Sequence, residues 1–143
     1  LYKLENGKYV APAALEEKIQ LSPYITQVMV YGANRPYNVA IIVPDFTSLK
    51  PWAEQQGIDA SKLDVLCNHE KVRALIRGEL DKYAAEFKGF EAIKDFVLVP
   101  EEFSVANDML TPKMSMKRRN IIKRYEGQLE ALYGGGQKKA ATA

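Results

Sequence analysis

Between Thr111 and Tyr125 the chain places Lys113, Lys117, Arg118, Arg119, Lys123 and Arg124, with no acidic residue among them. Cations gathered this closely can hold an anion, and the candidate chemistry is stabilisation of a phosphate or carboxylate. Lys113 and Lys117 stand on either side of Ser115 in the run TPKMSMKRR. Ser115 suits a helix N-cap, which would put Lys117, Arg118 and Arg119 in the first helical turn. Cations there oppose the helix dipole by about 0.3–1 kcal/mol each. The placement makes sense if an anion visits the free N–H groups of that turn. The plainer alternative is a solvated basic face.

Nothing else in the sequence supplies a catalytic set. There is no Walker-type glycine loop, no GxSxG and no HExxH. GANRPY carries one glycine and reads as a hairpin turn. Cys67 lacks a CxxC partner and cannot form an internal disulfide, so it reads as a buried thiol. His69 has no further ligands near it and reads as a residue close to a helix start. No metal site is expected in this chain.

The elements that must position the cluster follow from periodicity. LYKLENGKYV alternates around Asn6-Gly7 and predicts a two-residue hairpin. Pro12 suits the first turn of a helix through AALEEKIQL. Residues 25–32 and 37–44 are β-rich and joined by ANRP. The second run is apolar at nearly every position, so both its faces are expected to be covered, and Pro44 ends it. DFTSLKPWAEQQG predicts a short helix stopped by Gly57. Val72, Leu75, Ile76, Leu80, Tyr83 and Phe87 form one helical stripe in NHEKVRALIRGELDKYAAEF, which is core rather than ligand surface. IKDFVLVP predicts a third strand closed by Pro100, and PEEFSVAND an acidic, flexible approach to the cluster. Ile121, Ile122, Tyr125, Leu129 and Leu132 then predict one amphipathic helix to about Tyr133. The sum is an α+β layer, a small three-stranded sheet with flanking helices and an N-terminal hairpin.

The 143 residues fit one domain, and 47% apolar with 27% charged residues is ordinary for a globular protein. A net charge of +2 gives no bulk electrostatic case for nucleic-acid binding. No apolar run approaches the roughly 18 residues of a membrane span and no signal peptide is visible, so a cytoplasmic location is expected. The chain opens without methionine inside a predicted strand, as if cut from a larger protein. It closes with GGGQKKAATA, which has the composition of a disordered tail. The expected division is a domain over 1–133 and a tail over 134–143.

KLENGKYVAPAALE resembles the segment after the hinge of the AMP-forming acyl-CoA synthetases, the adenylate-forming ligases that include luciferase. The shared pattern is a lysine, an apolar residue, a glycine turn, V-x-P and an acidic residue opening a helix. Lys3, Leu4, Gly7, Val10, Pro12 and Glu16 fill it here. NDMLTPKMSMKRRNIIKRYEGQLEALY resembles the C-terminal segment of the long-chain fatty acid branch, with its L-T-P, lysine-bearing loop and K/R-R pair. ITQVMVYGANRPYNVAIIVPD is also similar to that branch, so the resemblance covers the chain to Tyr133.

The resemblance implies the small C-terminal lid of a long-chain fatty acid–CoA ligase. Its partner would be an N-terminal domain, outside this chain, that binds ATP, the fatty acid and Mg2+. In one orientation such a lid delivers a lysine to the forming acyl-adenylate. In the other it turns the glycine turn toward the CoA pantetheine channel. It implies catalytic positions at Lys113, Ser115 and Lys117, and cofactor contacts at Gly7, Lys8, Arg118 and Arg119. The usual adenylation lysine falls at Ser115, and serine supplies no cation. A neighbouring lysine, other charges, or loss of the role are the three alternatives. The isolated chain is expected to be inactive, to bind no nucleic acid, and to meet a membrane only through the lipid substrate. The competing reading is a free-standing anion- or nucleic-acid-binding α+β module. Such modules interleave aromatics with the basic residues, and this cluster has only Tyr125, on the apolar stripe.

Overall fold

The strand Asn38–Pro44 (β4) is buried at every residue, and its alternating side chains enter two separate cores. Ala40 and Ile42 face one, with Val28, Val30, Phe96 and Leu98, while Val39, Ile41 and Val43 face the other, with Met29 and Val99. A period of two makes this division, and it requires a cover on each face of the sheet. In the computed structural model, which describes residues 1–135, β4 is the middle strand of three. Ile25–Tyr31 (β3) pairs with it antiparallel and Ile93–Leu98 (β5) parallel. All three strands match the sequence expectation to within two residues at each end.

The hairpin strands Tyr2–Lys3 (β1) and Tyr9–Val10 (β2) precede the sheet. The first face is covered by helices Pro12–Ile19 (α1), Phe46–Gln55 (α2), Leu63–Asn68 (α3) and Glu70–Tyr83 (α4). The last three lie on the crossover that a parallel β4–β5 pair demands. Pro12 sits at the first turn of α1, and Gly57 follows α2 at φ 75°. Asp45 caps α2 by accepting the N–H groups of Thr47 and Ser48 at 3.0 and 3.2 Å. α3 is an addition to the expected set. Its Leu66 and Cys67 are buried, and extended backbone at His69 separates it from α4. His69 caps α4, its Nδ1 accepting the Lys71 N–H at 3.1 Å. Val72, Ile76 and Leu80 form the buried stripe of α4, each worth about 1.5–3 kcal/mol of burial. Phe87 packs on the core from beyond the helix end.

The second face is covered by Arg118–Arg124 (α5) and Glu126–Glu130 (α6), which bury Ile121 and Leu129. The single expected helix is thus broken at Tyr125, and a π-turn, Ala131–Gly135, closes the described chain. Packing fixes this end. Tyr133 Oη donates to the Tyr37 carbonyl at 3.0 Å and Arg35 lies 4.1 Å over the Tyr133 ring. Arg35 also pairs with Glu130 at 2.7 Å. Gly134 and Gly135 of the expected tail belong to the π-turn, and residues 136–143 lie outside the described residues. Among the described residues no helix is long and apolar enough to cross a membrane.

Candidate functional site

The basic run folds into a closed loop with a short stem. Leu110 bridges Met116, and the Lys117 N–H donates to the Met109 carbonyl at 2.8 Å. Above the stem, Thr111 N–H donates to Ser115 O and Met114 N–H to Thr111 O, both at 2.8 Å, and Ser115 N–H reaches Thr111 Oγ1 at 3.1 Å. Met114 takes φ 66° to close the turn. Buried Met109 and Leu110 anchor the entering strand, so Pro112, Lys113 and Met114 project into solvent.

Ser115 is not the N-cap of the helix. α5 begins at Arg118 with Lys117 at its N-cap position and no side-chain cap. Ser115 is two residues too early, since a capping oxygen must reach the second or third helical N–H. Its backbone closes the loop instead. The approach Pro100–Asp108 is also not flexible. Phe103 is buried, and its N–H and C=O both bond the Gln27 side chain, at 2.7 and 3.0 Å. Asn107 Oδ1 accepts the N–H groups of Ser104 and Met109, and Glu101 pairs with Arg124 at 2.6 Å.

The cations of the run divide sharply. Lys117 Nζ lies 2.5 Å from Asp108 Oδ1, and Asp108, at φ 64°, also accepts from Asn120 Nδ2 through its carbonyl and Oδ2. Arg118 makes a two-pronged pair with Glu16 at 2.7 and 2.6 Å. Glu16 is only 4% exposed, and its Oε2 also accepts the Val30 N–H at 2.7 Å. The hydrogen bonds to Glu16 raise the Arg118 pKa above its ordinary value, against the effect of burial. Two charges that would oppose the α5 dipole are therefore paired within the chain, Lys117 at the surface and Arg118 against a buried carboxylate. Lys113 and Arg119 are exposed and form no ion pair among the described residues.

Gly7 and Lys8 occupy a separate place, the hairpin tip. Leu4 N–H donates to Lys8 O and Gly7 N–H to Leu4 O, both at 2.9 Å. The connection is therefore three residues, Glu5 to Gly7, rather than two. Gly7 at φ 86° supplies the left-handed position that such loops require. Lys8 Nζ lies 5.7 Å from the centre of the Phe90 ring. The hairpin is welded to the domain: Tyr2 Oη donates to the Oδ1 of fully buried Asn38, whose Nδ2 donates to Glu91 O at 3.0 Å. Glu5 N–H and Asn34 N–H add bonds to Arg35 O and Lys3 O.

Sequence reasoning assigned no partner to Glu16 or Asp108. A signal for Glu16 existed, because it falls between Leu15 and Ile19 on the buried face of α1, where a carboxylate demands a cation. That the cation lies 102 residues away was not readable. Among the described residues no group of three or more His, Cys, Asp or Glu converges to hold a metal.

Comparison with known proteins adds the following. The family described as the AMP-binding enzyme C-terminal domain matches residues 2–137. Long chain acyl-CoA synthetase 2 of Arabidopsis thaliana is 31% identical over 99% of this chain and 22% of its own length. Long-chain-fatty-acid–CoA ligase 1 of Homo sapiens is 33% identical over 93% of this chain and 19% of its own length. This chain thus spans about a fifth of the length of the curated relatives it matches. Among solved structures, the A-PCP didomain of the carboxylic acid reductase from Segniliparus rugosus, in complex with AMP, superimposes with TM-score 0.77 at 28% identity. That match covers 98% of this chain and 18% of the other. The adenylation domain of a Mycobacterium chelonae carboxylate reductase gives 0.74 at 28% identity, over 92% of this chain and 19% of the other. None of these similarities supports a free-standing anion- or nucleic-acid-binding module.

Proposed function

This chain belongs to the AMP-binding enzyme C-terminal domain family, and from that premise we propose that it is the mobile lid of a long-chain fatty acid–CoA ligase. Its partner is an N-terminal domain of the same enzyme, which holds ATP and the fatty acid. In the first half-reaction the fatty carboxylate attacks the α-phosphorus of ATP, giving acyl-adenylate and releasing pyrophosphate. In the second, the CoA thiol, losing its proton, displaces AMP from the acyl carbon. The lid serves the first step by bringing Lys113 to the reacting phosphate and carboxylate. It serves the second by bringing the Gly7–Lys8 turn to the CoA channel. Arg119 is exposed beside the cluster and can add to the field at the nucleotide. A cytoplasmic setting is part of the proposal.

One observation carries this assignment of Lys113. Lys117 is held by Asp108 and Arg118 by Glu16, whereas Lys113 stands exposed at the tip of a hydrogen-bonded loop. A long cationic side chain on such a loop can extend into a cleft on another domain and stabilise developing charge there. The position usually taken by the lysine carries Ser115, and Lys113 replaces its charge from two residues earlier.

The test is ATP–pyrophosphate exchange by the full-length protein. Exchange should depend on a long-chain fatty acid, and CoA should then drain acyl-adenylate to acyl-CoA. The 143-residue chain alone should leave both signals at background, because its sequence carries no Walker-type phosphate loop and spans about a fifth of the relatives' length. Fatty-acid-independent exchange, or turnover by the chain alone, contradicts the proposal.

A further inference from the structure

We propose that Glu16 is a positioning residue for adenylation: through Arg118 its buried carboxylate fixes the loop that presents Lys113. The proposal rests on the lid assignment. Glu16 lies in the middle of α1, 4% exposed, with Oε1 and Oε2 both engaged by the Arg118 guanidinium at 2.6 and 2.7 Å. Oε2 is also held by the Val30 N–H of β3 at 2.7 Å. The carboxylate thus joins a helix, a strand and the residue that follows the loop.

The loop has two stems, and they are secured differently. The entering stem is held by burial of Met109 and Leu110. The leaving stem, Met116 to Arg118, has only half-buried side chains. Its position is set by the Lys117 N–H bond to Met109 O, the Lys117–Asp108 pair and the Arg118–Glu16 fork. Asp108 belongs to the entering stem, so the Lys117 contacts tie the loop to itself. Met116 packs against the core of the second face, and among the described residues the fork is the ion pair that ties the leaving stem to α1 on the first. A two-point guanidinium–carboxylate pair fixes direction as well as distance, which a single lysine contact cannot do.

A buried ion pair is a poor device for stability alone, because apolar residues of similar size often serve as well or better. Here the same carboxylate lines a cleft of about 570 Å3 together with Leu110, Met114, Ser115 and Met116. The pair therefore borders the same cleft as the loop whose tip carries Lys113.

Glu16→Gln keeps the shape and an acceptor for Val30 while removing the charge. Two measurements test the proposal. The first is backbone amide exchange on this chain, which needs no activity. The Thr111, Met114, Ser115 and Lys117 amides should exchange about tenfold faster, while the β4 amides stay within about twofold. The second uses the full-length protein. The kcat for acyl-adenylate formation should fall about tenfold or more, with KM for ATP and fatty acid little changed and thioester formation from supplied acyl-adenylate retained. Arg118→Lys, which keeps a cation opposite Glu16, should show the same pattern for loss of the second contact. Equal loss of protection in β4 and the loop, or failure of both variants to fold, overturns the proposal, since Glu16 then only supports the fold. A loop that does not loosen, or adenylation that does not fall, overturns it too. Failure of the lid assignment reads differently: Lys113→Ala then leaves adenylation unchanged whatever the Glu16 variant does.

Discussion

Gly7→Ala separates the two duties proposed for the lid, and the structure sets how much it costs the fold. Gly7 holds φ 86°, so an alanine there meets the left-handed backbone penalty of about 1–2 kcal/mol. Against that, alanine narrows the unfolded ensemble by about 0.4–1 kcal/mol. A β-carbon at Gly7 meets nothing within 4 Å, so no clash is added. The net loss should be about 1 kcal/mol, a shift of about 3 °C in Tm for a domain of this size. Circular dichroism melting of the chain measures it, and a cooperative transition is expected for both forms. In the full-length protein, thioester formation should fall about tenfold while acyl-adenylate formation stays within about twofold, because the changed turn serves the CoA orientation. Parallel half-reaction assays separate the two. A Tm loss above about 10 °C, or equal loss in both half-reactions, would mean that Gly7 matters only for folding.

Gly32→Ala should behave oppositely. Its β-carbon would strike Asn38 Oδ1 and approach Tyr2 Oη at 3.1 Å, so urea denaturation should show a loss of about 2–4 kcal/mol, and a loss under about 1 would refute the packing. Arg35→Ala removes the stack on Tyr133 and the half-exposed pair with Glu130. A loss of about 1 kcal/mol, with faster amide exchange in α6, is expected, and unchanged exchange would contradict it. Burial, followed by the charge of Asp64, pushes the Cys67 thiol up to about 12 from an ordinary 9.0, and burial also raises Tyr2 and Tyr133. The unfolded chain therefore releases protons first as pH rises. Urea midpoints should be flat to about pH 9 and fall above it, and a rise there would refute the burial of these groups.

Much of this was legible in the sequence for local reasons. The unbroken apolar run of β4 announced cover on both faces, and Pro12, Gly7 and Gly57 sit in the backbone positions their chemistry suits. Two of the failures share a cause, contact between residues distant in the chain. The break at Tyr125 comes as α5 and α6 pack separately on the sheet, burying Ile121 and Leu129. α3 was missed because it is six residues long and rests on Leu66 and Cys67 alone. The basic run looked like one patch of charge, yet Glu16 lies 102 residues from Arg118 and Asp108 lies outside the run. After those pairs are drawn, Lys113, Arg119 and Lys123 are left exposed without an ion pair among the described residues, and of these three Lys113 is the one on the loop. The hairpin and the loop, each a short-range feature, were both placed correctly as elements, and only the length of the turn and the role of Ser115 changed.

The most direct test of Lys113 as the adenylating cation is single-turnover acyl-adenylate formation by the full-length protein carrying Lys113→Ala or Ser115→Lys. A positioned cation at developing charge is worth about 3 kcal/mol, so Lys113→Ala should slow adenylation about a hundredfold and leave thioester formation from supplied acyl-adenylate nearly intact. Ser115→Lys should raise adenylation, or restore it when combined with Lys113→Ala. If both single variants adenylate at the parental rate, the loop takes no part in the chemistry and its charge is a solvated face.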